Sequence, residues 1–420
     1  MLSKDIWTTK DYSRVPFALY HDEEVYALEQ ERIFRGPVWL YVGLEAEIPK
    51  PGDFRTTWLG DTPVLFNRDM NGKVHAFVNR CVHRGANVRR ESHGNATDHT
   101  CFYHRWCYDL EGKLIGVPFQ RGVPGKGGGM AADFKRDDHA LRKIHVEMLN
   151  GIIFGTFQPE KVEPLKDYLG ATMHWHLDRL TAKPIRIMGY QRQRIHGNWK
   201  LYAENVRDQY HGSLLHQFHR KFGISRVTHT GGASLDPRHR HNISWGKEGS
   251  DSNEQFSSTY QQGKVEVKDF GLSDGQVLEY LPEFDDGISL AICSVFPNVT
   301  FQQIRNSLAA RQIRTRGIND FELHWTLFGY EDDTAEMQNF RELQTNMVGP
   351  GGFISMEDGE AVEVAHRATR PDADCSAIVE MGGGGAIPEE VEHKISDIPV
   401  RGFWSYYAEL MDIEPEGAIR

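Results

Sequence analysis

The sequence predicts an α+β protein of two domains, a small all-β domain followed by a larger mixed domain built on an antiparallel sheet. Three observations point there. At roughly 150 residues per domain, a chain of 420 residues has room for two or three cores. From Pro49 to about Phe157 the pattern is a series of short β-segments broken by turn residues. In the second half, four strand-like runs follow one another without intervening helices, which favours antiparallel pairing over βαβ units. The expected divisions are an N-terminal arm and helix at 1–36 that packs on the larger domain, a β domain at 37–158 and the larger domain at 159–420.

Each element has a local reason. Asp22 can cap a helix carrying Val25, Leu28, Ile33 and Phe34, with Gly36 as the stop. Phe54–Leu59, Pro63–Phe66 and Val74–Val78 read as strands, with Asp69-Met70-Asn71-Gly72 as a hairpin turn. Gly122–Gly129 contains Gly125-Lys126, but Gly127 stands where a phosphate loop needs Ser or Thr, so a surface loop is expected. Asn198–Phe222 is helical in pattern and rich in histidine. The later strands are Ile288–Val295, Val299–Ile304, Ser307–Ile313 and Phe321–Phe328. Thr334 can cap a helix with Met337, Phe340, Gln344 and Met347 on one face, stopped by Gly349-Pro350. A shorter helix around Trp404–Leu410 closes the chain.

Composition narrows the function classes. Lys and Arg number 48 against 59 Asp and Glu, a net charge of −11, which argues against a general nucleic-acid binder. Apolar runs stay far shorter than the roughly 18–20 residues of a membrane span, and the N-terminus has no hydrophobic export segment. Five cysteines, an odd number, suit metal chemistry in a reducing cytoplasm better than a disulfide scaffold. Cys107, Cys293 and Cys375 have no histidine close in sequence and are expected to be buried small hydrophobes.

Cys81-Val82-His83 and Cys101-Phe102-Tyr103-His104 each pair a thiolate with an imidazole on a tight turn. Two Cys and two His could fill a tetrahedral zinc site, but zinc sites more often pair like ligands at C-x(2–4)-C and H-x(3–5)-H. The C-x-H and C-x-x-H spacing instead resembles a Rieske [2Fe-2S] centre, in which two thiolates hold one iron and two imidazoles the other. Asn79-Arg80 before the first loop and Trp106 after the second strengthen the resemblance.

A second constellation begins at Asn198-Trp199-Lys200 and runs through Glu204-Asn205, Asp208 and His211 to His216. Two histidines and a carboxylate make the facial triad of non-haem Fe(II) oxygenases, which keeps coordination positions open. His211 and His216 lie about 140° apart on an ideal helix, so a break or π-bulge near Gly212-Ser213 would be needed to converge them. His219 could compete as a ligand.

These stretches resemble the large subunits of ring-hydroxylating Rieske oxygenases, over nearly the whole chain. The resemblance is strongest to the branch acting on aromatic carboxylates: terephthalate dioxygenases, salicylate hydroxylases and anthranilate dioxygenases. Shared runs include Arg14-Val15-Pro16-Phe17, Gly116-Val117-Pro118-Phe119 and Val400-Arg401-Gly402-Phe403. The resemblance implies a Rieske domain on a helix-grip catalytic domain, and a third iron ligand after Gly352-Phe353, which is Asp358, with Glu357 as rival. It also implies that Asn205 stands beside the iron and that Asp208 bridges His104 of one subunit to His211 of the next. The implied assembly is a trimer of large subunits, α3, or α3β3 with a small β subunit.

The expected activity is O2-dependent hydroxylation of an aromatic carboxylate, most directly by cis-dihydroxylation. No Gly-x-Gly-x-x-Gly follows a strand, so electrons from NAD(P)H should arrive through a separate reductase, ferredoxin or both. Arg311 and Arg401 resemble the carboxylate-gripping positions of terephthalate enzymes, and a planar guanidinium suits that task. Ring monohydroxylation or O-demethylation on the same metals is the alternative activity. A bare Rieske electron carrier is a remoter one, since a carrier needs about a quarter of this length.

Overall fold

The computed structural model describes residues 4–267 and 271–420, which form two compact units. One spans Phe34–Leu165; the other joins the N-terminal residues through Ile33 to Lys166–Arg420. The divisions therefore fall at 33/34 and 165/166, against the expected 36/37 and 158/159.

The smaller unit is all-β. Its seven-stranded sheet has the order Leu40–Leu44, Ile152–Thr156, Lys143–Leu149, Val74–Val78, Thr62–Arg68, Asp53–Leu59, His93–Asn95, every pair antiparallel. The turn at Asp69 forms as its residues predict. Asp69 Oδ1 accepts from the backbone N–H of Asn71 and Lys73, at 2.8 and 2.9 Å, fixing the register of the strands on either side. A three-stranded sheet, His99–Thr100, Cys107–Tyr108 and Leu114–Gly116, stands beside it. Phe77, Val88, Trp106, Tyr108, Leu114 and Leu141 pack around Cys81 and Cys101 in one buried cluster. Gly112 (φ +84°) must be glycine, because a Cβ there would lie 2.4 Å from the Phe77 ring.

The larger unit is α+β. Its eight-stranded antiparallel sheet has the order Ile185–Ile195, Phe321–Tyr330, Ser307–Thr315, Val299–Ile304, Leu290–Val295, Asn242–Gly246, Gly231–Leu235, Glu390–Val391. Across four of these strands, Ser244 pairs with Ile292, Ile292 with Gln302, and Thr300 with Arg311. Helices Ala335–Val348, Phe353–Thr369 and Ile398–Met411 belong to this unit. Thr334 caps the first as expected, accepting from Met337 N–H at 3.2 Å. The last starts six residues before the expected Trp404, because Pro399 in its first turn is compatible with a helix start. Asp22 caps Glu23–Arg32, and Glu29 from that helix is fully buried.

The expected helix over Asn198–Phe222 is broken into three pieces: Trp199–Asn205, a 3-10 turn at His211–Ser213 and Gln217–Lys221. Among the described residues, no helix is long and apolar enough to cross a membrane.

Candidate metal centres

In the smaller unit the two Cys-His loops fold alike. Cys81 N–H donates to Ala86 O and Gly85 N–H to Cys81 O; Cys101 N–H donates to Trp106 O and Arg105 N–H to Cys101 O. Each turn is closed by a residue at positive φ, Gly85 at 78° and Arg105 at 61°. Both thiols are thereby buried while His83 is exposed and His104 half-buried. The imidazoles stand 4.5 Å apart between centroids, with Trp106 stacked on His83 at 4.7 Å. Tyr108 Oη sits 3.2 Å from Cys81 Sγ and also accepts from Val82 N–H, so the sulfur is held by the core beneath it. Burial pushes the Cys81 thiol up and, aided by His104, pulls His83 down. The His83 imidazole is thus favoured in the neutral, ligating form. A buried thiol pair topped by two imidazoles fits a Rieske cluster.

In the larger unit, ligand atoms of His211, His216 and Asp358 lie within 4.8 Å of one another. The chain break makes this possible. His211 opens the 3-10 turn, and His216 takes extended-like torsions (φ −81°, ψ 82°) before Gln217–Lys221. The convergence comes from a 3-10 turn and a cap residue, where a π-bulge was the sequence expectation. Asp358 comes from the second turn of Phe353–Thr369, a helix seated close on the sheet. A Cβ on Gly359 would lie 2.6 Å from Gln193 Nε2, and that amide donates to Ser355 O at 2.7 Å.

Every ligand has an outer partner. His211 Nε2 and His216 Nε2 approach Asp358 Oδ1 at 3.4 and 3.1 Å. Their far nitrogens face Asp208 Oδ2 at 3.1 Å and Glu357 Oε2 at 2.7 Å. Glu357, the rival ligand, thus orients His216, and Asp208 orients His211; outer carboxylates of this kind fix imidazole tautomer and direction. Asn205 Nδ2 donates to Asp358 Oδ1 at 3.1 Å. Burial alone would lower His211, yet its hydrogen bonds to Asp208 and Asp358 and their charges raise it to about 10. Burial would raise Asp358, but His211 and His216 hold it well below the carboxylate range. The cluster therefore demands positive charge at its centre. Two imidazoles and one carboxylate fit a divalent iron there.

The helix that carries Asn205 is anchored by the Asn-Trp-Lys run. Glu29 accepts from Trp199 Nε1 at 2.7 Å, Lys200 Nζ at 2.5 Å and Tyr407 Oη at 2.6 Å, all in the interior. Asn198 Nδ2 donates to the carbonyls of Tyr20 and Ile318. The sequence offers no local sign that Glu29 is the partner.

A cavity opens beside the triad. Leu290, Ile292, Ile304 and Ile354 make its apolar wall, and Ser225, Ser244, Gln302 and Arg311 its polar groups. Arg311 is buried and its Nε has no hydrogen-bond partner. His219 also lines the cavity, 5.3 Å from His216 between ring centroids, but stands outside the converging set. Arg401, the other arginine expected to grip the substrate, is placed elsewhere. It lies within the last helix rather than before it, is absent from the cavity wall, and donates to Gly385 O at 3.2 Å. The helix starts early enough to carry Arg401 to the 380–385 loop. Of the spare cysteines Cys293 is buried and Cys107 half-buried, whereas Cys375 is exposed, contrary to expectation.

Residues 38–126 match the Rieske [2Fe-2S] domain family and 171–412 the catalytic domain of the ring-hydroxylating alpha subunit. The anthranilate 1,2-dioxygenase large subunit of Burkholderia cepacia is 47% identical over 96% of this chain and 94% of its own. The alpha 2 subunit of the terephthalate 1,2-dioxygenase terminal oxygenase component of a Comamonas species is 41% identical, covering 97% and 98%. The large oxygenase component of salicylate 5-hydroxylase from a Ralstonia species is 39% identical, covering 96% of each. Naphthalene 1,2-dioxygenase from a Rhodococcus species, solved with indole, shares the fold at TM-score 0.77 and 23% identity, over 95% and 94%. With both domains matched and relatives this similar end to end, the chain belongs to the ring-hydroxylating oxygenase alpha subunits, oxidoreductases with a Rieske [2Fe-2S] cluster and a mononuclear iron.

Proposed function

We propose that this terminal oxygenase large subunit hydroxylates an aromatic carboxylate, by cis-dihydroxylation, with Arg311 holding the substrate's carboxylate. One observation carries this reading: a buried guanidinium with an unpartnered Nε lines the same cavity as His211, His216 and Asp358. A buried cation beside an apolar wall is matched by a planar anion whose ring fills the rest.

In this reading Cys81, Cys101, His83 and His104 hold the cluster, and His211, His216 and Asp358 hold the iron. When bound, the cluster stores an electron and the ferrous iron activates dioxygen. The chain's own residues do the rest. Asp208 and Glu357 fix the two imidazoles, and Asn205 donates to the ligand carboxylate. Asp208 also marks the edge where His104 of a neighbouring subunit would deliver electrons, in an α3 or α3β3 assembly. Leu290, Ile292, Ile304 and Ile354 exclude water and seat the ring. Electrons come from NAD(P)H through a separate reductase or ferredoxin, in the cytoplasm.

Ring monohydroxylation is the second reading, favoured by the 39% identity to a salicylate 5-hydroxylase component. Both are tested by supplying the metal-loaded protein with reductase, NADH, O2 and a panel of benzoates. Diols identify the first activity and phenols the second. Arg311→Gln should raise KM about 10–100-fold, as expected for loss of a charge-assisted pair, with cluster content unchanged. No oxygenated aromatic acid, with both metals loaded, refutes the proposal.

A further inference from the structure

Behind one of the cavity's polar wall residues, Ser225, lies a second buried cation that the iron chemistry does not use. Lys394 is 4% exposed, and its Nζ donates to Ser225 Oγ at 2.7 Å. Among the described residues no carboxylate comes within ion-pair distance of it. The charge it feels is Asp251, which already faces Arg226 Nη1 at 3.4 Å and accepts from the Thr228 hydroxyl. Burial pulls the ammonium down to about 8, with Asp251 opposing.

The position is built rather than incidental. The lysine stem runs past two glycines: a Cβ at Gly231 would lie 3.1 Å from Lys394 Cδ, and one at Gly246 would lie 3.3 Å from Nζ. A side chain at either position would crowd it. Burying an ammonium with one hydroxyl acceptor and no counter-ion is costly, so such a group implies an anion that arrives later.

The sheet register sets the two cations apart. Gly246 and Ser244 face the same side of their strand, since alternate residues share a face. Ser244 pairs with Ile292 and Ile292 with Gln302, all three lining the cavity, and the next strand carries Arg311. Gly246, which lies against Lys394 Nζ, and Arg311 are thus three strand spacings apart across the sheet and four residues apart along it, about 20 Å at the backbone. Because Ser225 Oγ accepts from Lys394, its own O–H is left to donate into the cavity that it lines.

We propose that Ser225, backed by the Lys394 ammonium, is a second anchoring point, selecting an aromatic acid that bears another acceptor oxygen group across the ring from the carboxylate on Arg311. This rests on the aromatic-carboxylate reading of the cavity and names the finer class within it.

The test is equilibrium binding to the metal-loaded protein without reductant, using benzoate, 4-hydroxybenzoate and terephthalate. Wild type should bind at least one of the two para-substituted probes about 10-fold or more tighter than benzoate, the scale of one charge-assisted hydrogen bond. Lys394→Met and Ser225→Ala should each shrink that ratio below about 3-fold, while Arg311→Gln weakens all three probes. Lys394→Met should keep its melting temperature, because it removes an uncompensated buried charge. A wild-type ratio near one, or a ratio unchanged in both variants, overturns the second anchor and leaves Arg311 standing. Equal loss of all probes with a fallen melting temperature assigns Lys394 a structural role and also overturns it. If wild type binds none of the three, the carboxylate reading falls and this inference with it.

Discussion

The two iron sites are built in opposite ways. In the smaller unit each Cys-His pair sits on one tight turn, and the two turns repeat the same hydrogen-bond scheme around buried sulfurs. Its donor atoms are positioned by local backbone geometry over a small core. In the larger unit the three donors come from a 3-10 turn, a helix cap and a distant helix, and each imidazole needs an outer carboxylate to aim it. A site assembled from separate segments depends on supports that a site on two turns does without. The contrast predicts that damage away from the ligands will hurt the mononuclear site far more than the cluster.

The largest effect should follow removal of a ligand. Asp358→Ala should lower iron from roughly three per chain to roughly two, abolish turnover and leave the cluster's visible absorption intact. The mirrored His104→Ala should lose the Rieske signal and keep the mononuclear iron. Full iron occupancy in Asp358→Ala would show the ligand assignment to be wrong.

Glu357→Gln separates an aiming role from a ligating one. Outer-shell losses typically cost about 10–100-fold in metal affinity, so the variant should need that much more ferrous iron for half-saturation and recover activity in excess metal. A variant that never loads would make Glu357 the ligand instead.

The smallest effect is a pH dependence in the supports. Glu204 is half-buried, and its Oε1 accepts from Tyr20 Oη at 2.5 Å and Trp404 Nε1 at 2.9 Å. Burial, partly offset by those two bonds, raises its carboxyl from an ordinary 4.5 to about 7. A raised folded value means the stabilising contribution is complete below about 4.5 and is lost as pH rises through about 7. Glu204→Gln keeps both hydrogen bonds without the charge. Its melting temperature should therefore gain a few degrees on wild type between pH 5 and 8. Parallel melting curves across that range would remove Glu204 from the pH-sensitive supports.

The same contrast explains what could be read beforehand. The cluster residues were legible because thiolate and imidazole lie two or three positions apart and the turn itself sets their geometry. The two histidines were legible only with a chain break, since a straight helix points them apart; the break is present, as a 3-10 turn. The helix Phe353–Thr369 had no separate sequence signal, so Asp358 rested on resemblance, and Glu357 could not be told from it by spacing. Arg311 and Arg401 both resembled carboxylate-gripping positions, and nothing local separated them. Strand register turns one into the cavity wall, and an early helix start carries the other to Gly385.

By itself, the sequence determined the fold class, the small β domain and the chemistry of the Cys-His loops, because turn signals, strand runs and ligand spacing are local properties. The tertiary structure alone decided which carboxylate converges with the two histidines and which faces the far side of His216, which arginine meets the cavity, and that Lys394 lies behind Ser225. Those outcomes depend on how eight strands register and how a helix seats on them. Contacts between residues far apart in sequence leave no periodicity to read.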